Sequence, residues 1–224
     1  MPLILNIDTS TEAASICLCK EGKKLLLMEN NDQKDHAAWL HVAIEKIMRD
    51  SGNAMKDLSA VAITSGPGSY TGLRVSMATA KGLCYALQIP LITENTLQVM
   101  AFGAKEKNTD DAILFCPMID ARRMEVFTAL YNNNLDEIIS PTAMVLDENS
   151  FSEELKSHKI IFFGNGSKKW QAISKLADDF FTDIHVLTEY LGNLSYKKFI
   201  NNQFTDIVYS EPVYTKEFYI HTKK

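Results

Sequence analysis

The sequence predicts an α/β protein of two lobes, each a mixed β-sheet flanked by helices, and three observations lead there. First, three strands in a meander are followed by alternating helix and strand, which implies a mixed sheet with helices on its faces. Second, Ile4-Leu5-Asn6-Ile7-Asp8 and Cys116-Pro117-Met118-Ile119-Asp120 open two similar hairpins, 112 positions apart in a chain of 224 residues. Third, the charged stretch from Lys105 to Asp111 separates the two patterns in the manner of a linker. The expected lobes are residues 1–107 and 108–224, related by duplication. The competing reading is chance similarity of two hairpins.

The elements run in order along the chain. Leu3 to Ile7 is a short apolar run closed by Asp8, and Ala14 to Cys19 alternates apolar with small or polar side chains, so a tight turn through Thr9, Ser10 and Thr11 joins two strands. Lys24 to Glu29 supplies a third strand. A polar loop leads to a helix from about His36 to Asp50, for which Asp35 is an available N-cap. Val61 to Thr64 is a short buried strand, and a Gly-Pro-Gly segment carries the chain into a helix from about Thr71 to Leu87. Pro90 to Thr93 and a helix from about Thr96 to Ala104 complete the first lobe. The second begins with Ile113 to Ile119, continues with Glu125 to Tyr131, and later shows Ile160 to Phe163, a Gly-Asn-Gly turn and a helix from Ser167 to about Asp178.

With 46% hydrophobic, 23% charged and 9% aromatic residues, the chain is ordinary for a folded protein, which excludes disordered, collagen-like and coiled-coil classes. Its 23 Lys+Arg against 28 Asp+Glu leave a net charge of −5, arguing against a protein whose main task is gripping phosphate backbones alone. Cys17 and Cys19 share one face of a strand and, with Cys84 and Cys116, read as reduced and buried. The N-terminus has no basic region before its first acid, and no apolar run approaches the length of a bilayer span, so the cytoplasm is the expected compartment.

Candidate chemistry gathers at a few places. An aspartate closing a lobe's first strand can hold a metal or a magnesium-bound phosphate, and two facing copies would make a nucleotide cleft. Such hairpins need a glycine after the acid so that backbone N–H groups approach phosphate. Asp8 is followed instead by Thr9, Ser10, Thr11 and Glu12, and Asp120 by Ala121, Arg122 and Arg123, although these arginines could contact an anion. The cleft of Asp8, Thr9, Ser10 and Asp120 is therefore expected to be vestigial, the alternative being a working ATPase. Gly66, Pro67, Gly68, Thr71 and Arg74 mark a rigid turn before a helix N-terminus, either structural or anion-binding; neither phosphate-loop motif is matched.

On the helix after that turn, Lys81, Arg74 and Tyr85 share one narrow polar sector, Leu73, Met77, Ala80, Cys84 and Leu87 form a bulky face, and Gly72, Val75, Thr79, Gly82 and Ala86 a small-residue stripe. The stripe suits close approach of another helix, from this chain or from a partner. His36 and His41 lie too far apart on the preceding helix to chelate one ion, and they flank a stripe of Ala37, Leu40, Ile44, Ile47 and Met48. Trp39 and Ala43 lie on another side, which suits an interface. The partner face expected from both helices is His36, Trp39, Ala43, Gly72, Val75, Thr79, Gly82 and Ala86. No residues add up to a catalytic or metal site, and no cofactor is expected.

Ser65-Gly66-Pro67-Gly68-Ser69-Tyr70-Thr71-Gly72-Leu73-Arg74 closely resembles the S/GPGSFTGLR signature of the TsaB family. The resemblance continues at Ile7-Asp8-Thr9-Ser10, His36, Ile119-Asp120-Ala121-Arg122 and Pro212-Val213-Tyr214, covering most of the chain, more loosely in the second half. Tyr70 stands for the usual Phe, and Tyr214-Thr215-Lys216 for Tyr-Leu-Arg. The resemblance implies the two-lobed fold of the actin, hexokinase and Hsp70 superfamily. It also implies a non-catalytic subunit that lacks the metal-binding histidine pair of its relative TsaD and forms a heterodimer with it, with TsaE as third component. The complex installs threonylcarbamoyl on N6 of the adenosine next to the anticodon, so tRNA is met only through the complex, and the chain alone could self-dimerise. An actin-like kinase or ATPase, and more distantly a glycoprotease-like peptidase, are the alternatives.

Overall fold

A computed structural model describes residues 1–31, 36–182 and 187–216. Asp35, the expected helix cap, lies outside the described residues. Strands β1 (Leu3–Asp8) and β2 (Ala14–Lys20) pair antiparallel, with Asp8 opposite Ser15, and β3 (Lys23–Asn30) continues the meander. Helix α1 (His36–Asp50) follows, then β4 (Ala60–Thr64), helix α2 (Tyr70–Leu87), β5 (Leu91–Glu94) and helix α3 (Thr96–Glu106). The strand order is β3-β2-β1-β4-β5, with β4 parallel to β1 and β5 parallel to β4.

The second sheet repeats this plan. Strands β6 (Leu114–Asp120), β7 (Glu125–Tyr131) and β8 (Glu137–Val145) form a meander. After the short helix α4 (Ser152–Leu155) come β9 (Ile160–Phe163), helix α5 (Ser167–Gln171), β10 (Phe181–Thr182) and helix α6 (Leu187–Ile200). The order β8-β7-β6-β9-β10 matches the first sheet strand for strand, so Asp8 and Asp120 end equivalent strands.

Period-two alternation sorts the side chains into layers. Leu3, Leu5 and Ile7 face α1 and α2 in one core, while Ile4 turns to the opposite face. That face is shared: Ile4, Ala62 and Ile92 of the first sheet and Phe115, Ile119 and Phe163 of the second enclose Leu97, Met100 and Ala104 of α3 and Leu191 of α6. A third core, with Cys116, Met118, Phe162 and Trp170, covers the outer face of the second sheet. The helix α6 thus packs on β1 and β2 of the first sheet, and α3 on β6 of the second. Each large side chain so enclosed contributes about 1.5–3 kcal/mol, which makes the central layer a principal bond between the halves.

The structure adds the short α4 and β10 to the elements expected from the sequence and differs from them more substantially at three others. The helix expected over Ser167 to Asp178 stops at Gln171, where residues 172–177 turn away toward a single 3-10 turn. A strand not expected from the sequence, β8, carries Pro141, which an edge strand tolerates because one side of its backbone needs no partner. The helix α6 escapes periodicity because its inward polar side chains are satisfied internally: Ser195 Oγ donates to Asn6 Oδ1 at 2.7 Å and Thr188 Oγ1 to Ser15 Oγ at 2.9 Å. The four cysteines are free and buried, and Cys17 and Cys19 have their Sγ atoms 3.4 Å apart on one strand face. Among the described residues no helix is long and apolar enough to cross a membrane.

Candidate functional site

The turn after β1 folds back on its own acid. Asp8 is 1% exposed, and its Oδ1 accepts from Ser10 N at 3.1 Å, Ser10 Oγ at 2.6 Å and Thr64 Oγ1. Burial raises the Asp8 pKa and outweighs the lowering by these hydrogen bonds. The turn is then sealed by the loop before α2. Ser69 N donates to Ser10 O at 2.7 Å, and Thr9 Oγ1 to Gly72 O at 2.6 Å. A Cβ on Gly72 would run into the Thr9 carbonyl oxygen, and one on Gly68 into that of Ser10. The glycines of the signature turn therefore admit the backbone of the chain's own first hairpin. Asp8, Thr9 and Ser10 are buried, whereas Asp120 on the equivalent hairpin is exposed.

Asp120 is exposed and differently occupied. Its Oδ1 accepts from Lys169 Nζ at 2.7 Å and from Arg122 N at 2.6 Å. Partial burial pushes its pKa up, but the Lys169 hydrogen bond, the Arg122 N–H and the two cationic charges together hold it below the ordinary value. Arg122 and Arg123 follow at φ 70° and 49°, a left-handed backbone that costs an ordinary side chain about 1–2 kcal/mol per residue. Both are exposed, and among the described residues neither guanidinium is held in an ion pair.

Between this hairpin and the signature turn lies a groove of about 940 Å³, within the range of small-ligand sites. Pro67, Gly68 and Tyr70 line one side and residues 121–125 with Phe127 the other. The segment 213–216 bridges them. Val213 N donates to Ser65 O at 2.7 Å, Tyr214 stacks on Tyr70 with centroids 5.4 Å apart, and Lys216 pairs with Glu125. Arg74 covers the Tyr70 ring at 4.0 Å and donates from Nε to Tyr214 Oη at 3.0 Å. Gly66, at φ 121° before a cis Pro67, lies against the Val213 carbonyl, a site closed to any side chain. Thr71, by contrast, is exposed at the start of α2, whose N-cap is Ser69.

The expected partner face divides. Ala43 is 1% exposed and belongs to the core with Leu40, Ile44, Ile47 and Met48, whereas Ala37 is exposed, so the buried stripe of α1 runs through Ala43 and not Ala37. His36 is buried, its Nε2 3.4 Å from Thr11 O and its Nδ1 without a partner among the described residues, and Trp39 is half-buried against the same core. On α2, Gly72 and Thr79 are buried and Val75 half-buried, while Gly82 and Ala86 are exposed beside Tyr85 at 75% exposure. Nothing lies within 4 Å of a Cβ added at Gly82. The small stripe thus starts as an internal contact with Thr9 and ends as open surface. Among the described residues no group of three or more His, Cys, Asp or Glu side chains is gathered to hold a metal.

The contacts of Tyr214 and Lys216 across the groove escape sequence reasoning, as does the buried Glu94 with Lys198 Nζ at 3.0 Å. The groups are far apart in the chain, and only the resemblance at Pro212-Val213-Tyr214 hints at the former.

The family model for TsaD, tRNA N6-adenosine threonylcarbamoyltransferase, matches residues 30–200. The chain is 30% identical to the tRNA threonylcarbamoyladenosine biosynthesis protein TsaB of Escherichia coli K12, covering 95% of this chain and 94% of that one. It is 31% identical to the TsaB of Bacillus subtilis 168, covering 72% and 70%. Its structure is similar to that of YeaZ from Pseudomonas aeruginosa, with a TM-score of 0.77 and 23% identity over 96% of this chain and all of that one. An uncharacterised Pseudomonas aeruginosa protein with similarity to peptidase YeaZ superposes with a TM-score of 0.79 at 22% identity, covering 96% and 100%.

Proposed function

The chain belongs to the TsaB family and takes part in tRNA threonylcarbamoyladenosine biosynthesis, and on that basis we propose that it acts there as a non-catalytic subunit. The observation that carries this reading is the sealed first hairpin: Thr9 and Ser10 fill the approach that a phosphate would need, and the Asp8 carboxyl is committed to Ser10 and Thr64. The two sheets lie within residues 1–107 and 108–224, with α6 crossing to the first sheet and α3 to the second, in an actin-like body that has given up nucleotide chemistry on this side. The purified chain alone is then expected to turn over no ATP and to cleave no peptide, in contrast to a kinase or a peptidase.

Its work is to bind a TsaD-type subunit, with a TsaE-type third component, in the cytoplasm. The surface that supports this is the exposed side of α1 and α2, with Val42 at 65% exposure on α1 and Tyr85 at 75% beside Gly82 and Ala86 on α2. Apolar and small side chains at helical spacing, left in water, suit close packing by helices of another subunit. Without that subunit the same face would join two copies of this chain.

Gly82→Arg tests the reading. The site is open on the chain itself, so the variant is expected to keep its melting temperature within about 2–4 °C, the span of roughly 1 kcal/mol in a chain of this size. Co-purification with the organism's own TsaD-type subunit should fall at least tenfold. A folded variant that binds normally would place the interface elsewhere.

A further inference from the structure

We propose that Cys17 and Cys19 are an oxidation site, at which a peroxide joins the two thiols as a disulfide along strand β2 beneath helix α6. The inference does not depend on the chain's part in tRNA modification.

Regular pairing of β2 with β1, Cys17 opposite Asn6 and Cys19 opposite Ile4, points both side chains to the face that α6 covers. Their sulfurs lie 3.4 Å apart and share a hydrogen bond. The other two cysteines have oxygen for a neighbour instead, Cys84 Sγ at 3.4 Å from Pro90 O and Cys116 Sγ at 3.4 Å from Thr128 Oγ1. Reactivity follows this difference, because the thiolate is the nucleophile. Burial pushes the Cys84 thiol up to about 11 and that of Cys116 to about 12, so both stay protonated. The Cys17 S–H donates to the Cys19 sulfur, and this bond outweighs burial and the Glu189 charge to hold Cys19 below the ordinary thiol value. The same bond, with burial, raises Cys17. One sulfur is set to attack and the other to follow.

Cys17 is 0% and Cys19 1% exposed, so access depends on α6. The helix covers Cys19 with backbone alone: a Cβ on Gly192 would stand 2.4 Å from the sulfur. At the surface nearby, Lys24 and Glu189 close an ion pair at 2.8 Å whose side chains are 43% and 42% exposed, and so open a pair holds weakly. Local opening of α6 is thus enough to admit a molecule as small as a peroxide. The Cys19 thiolate attacks one peroxide oxygen, the O–O bond breaks, and the departing hydroxide takes the Cys17 proton and leaves as water. Cys17 then attacks the sulfur of the resulting sulfenic acid, the S–O bond breaks, and a second hydroxide leaves as water with the proton that Cys19 had released. Two thiols and one peroxide give one disulfide and two waters, the sulfurs losing two electrons and the peroxide gaining them. Cα atoms two apart in a strand are about 6.6–6.8 Å from each other, the long end for a disulfide. The bond is therefore strained and easily reduced. It also draws the Cys19 sulfur from under Gly192, which loosens the seat of α6 on the first sheet.

The test needs no variant. The reduced, folded chain is treated with hydrogen peroxide, the peroxide is removed with catalase, remaining thiols are alkylated in urea, and the tryptic peptides are weighed. Cys17 and Cys19 share the peptide Met1–Lys20, whereas Cys84 and Cys116 fall in two others. Met1–Lys20 is expected to lose two hydrogens and both alkyl labels about tenfold faster than either other cysteine loses its label, and to regain both thiols with dithiothreitol. Cys17→Ser should stop the reaction at a Cys19 sulfenic acid that dimedone captures, and the oxidised wild-type chain should melt at a lower temperature. Equal reaction of all four thiols would overturn the proposal, as would both labels retained under peroxide that oxidises the pair in urea. Oxygen fixed on either cysteine in place of the disulfide, located by fragmentation, or disulfide-linked dimers would overturn it equally. A disulfide formed with no change in melting temperature would overturn the link to α6.

Discussion

The two hairpins occupy the same place in two sheets of identical strand order and have opposite chemistry. In the first, Asp8 is sealed under Ser10 and Thr64 with a raised pKa; in the second, Asp120 stands exposed beside Lys169 with a lowered one. The difference lies in the segments after β4 and β9. After β4 an 18-residue helix begins with glycines close enough for the backbone of Thr9 and Ser10 to dock on it. After β9 the helix has only five residues, and the segment meets its hairpin through Asn165 Oδ1, which accepts from Asp120 N at 2.9 Å, through Gly166 N, which donates to Met118 O at 3.0 Å, and through Lys169 Nζ, which also donates to Glu125 O at 3.2 Å. The first turn is covered at Thr9 and Ser10 themselves, whereas the second is held at its base and keeps a groove beside residues 121–125. Repeated topology therefore supplies equivalent positions, and the connecting segments decide whether a position becomes core or surface.

Three measurements put this contrast to the test. The largest effect is expected for Gly72→Ala, where the methyl meets the Thr9 carbonyl oxygen; a loss of about 3 kcal/mol or more in denaturant unfolding is expected. Gly166→Ala in the second half meets Ile119 and Val126 atoms at 2.9 Å and should cost about 1 kcal/mol. Equal losses would mean that the first hairpin is no more tightly docked than the second.

Asp8→Ala comes next. It strands three donors, Ser10 N, Ser10 Oγ and Thr64 Oγ1, in a buried site, and should cost about 2–3 kcal/mol. Asp120→Ala frees a lysine that water can solvate, so a change within about 1 kcal/mol is expected once solvent screening is allowed for. A costlier Asp120 variant would reverse the assignment of core and surface.

The smallest effect is in the pH dependence, and its sign is diagnostic. Asp8 has a folded pKa above its unfolded value of about 3.9, so its contribution is fully present below that value and is lost as the pH rises through the raised folded one. Asp120 has a lowered folded pKa, so its contribution is present above about 3.9 and is lost as the pH falls through the lowered one. Melting curves taken on both sides of about pH 3.9 should show Asp8→Asn removing a decline toward neutral pH and Asp120→Asn removing a decline toward acid. The same sign in both variants would contradict the opposed environments.

Much of the architecture is set by local pattern. Apolar runs ended by Asp8 and Asp120, the helical spacing of Leu40, Ile44 and Ile47, and the bulky face of Leu73, Met77, Ala80 and Cys84 all depend on residues near one another in the chain, and periodicity reads them directly. The signature from Ser65 to Arg74 likewise carried the family. Which of the equivalent positions are open is a matter of long-range contact. That Gly72 faces Thr9 while Gly82 faces solvent, that Ala43 is core, and that α6 returns to the first sheet are contacts across tens to nearly two hundred residues, such as Ser195 with Asn6. The groove has the same origin, because its walls at residues 67–70, 121–125 and 213–216 come from three distant parts of the chain that only the packing of both sheets brings together. Periodicity reports which face of an element is apolar, and it contains no distance between elements that are far apart in the chain.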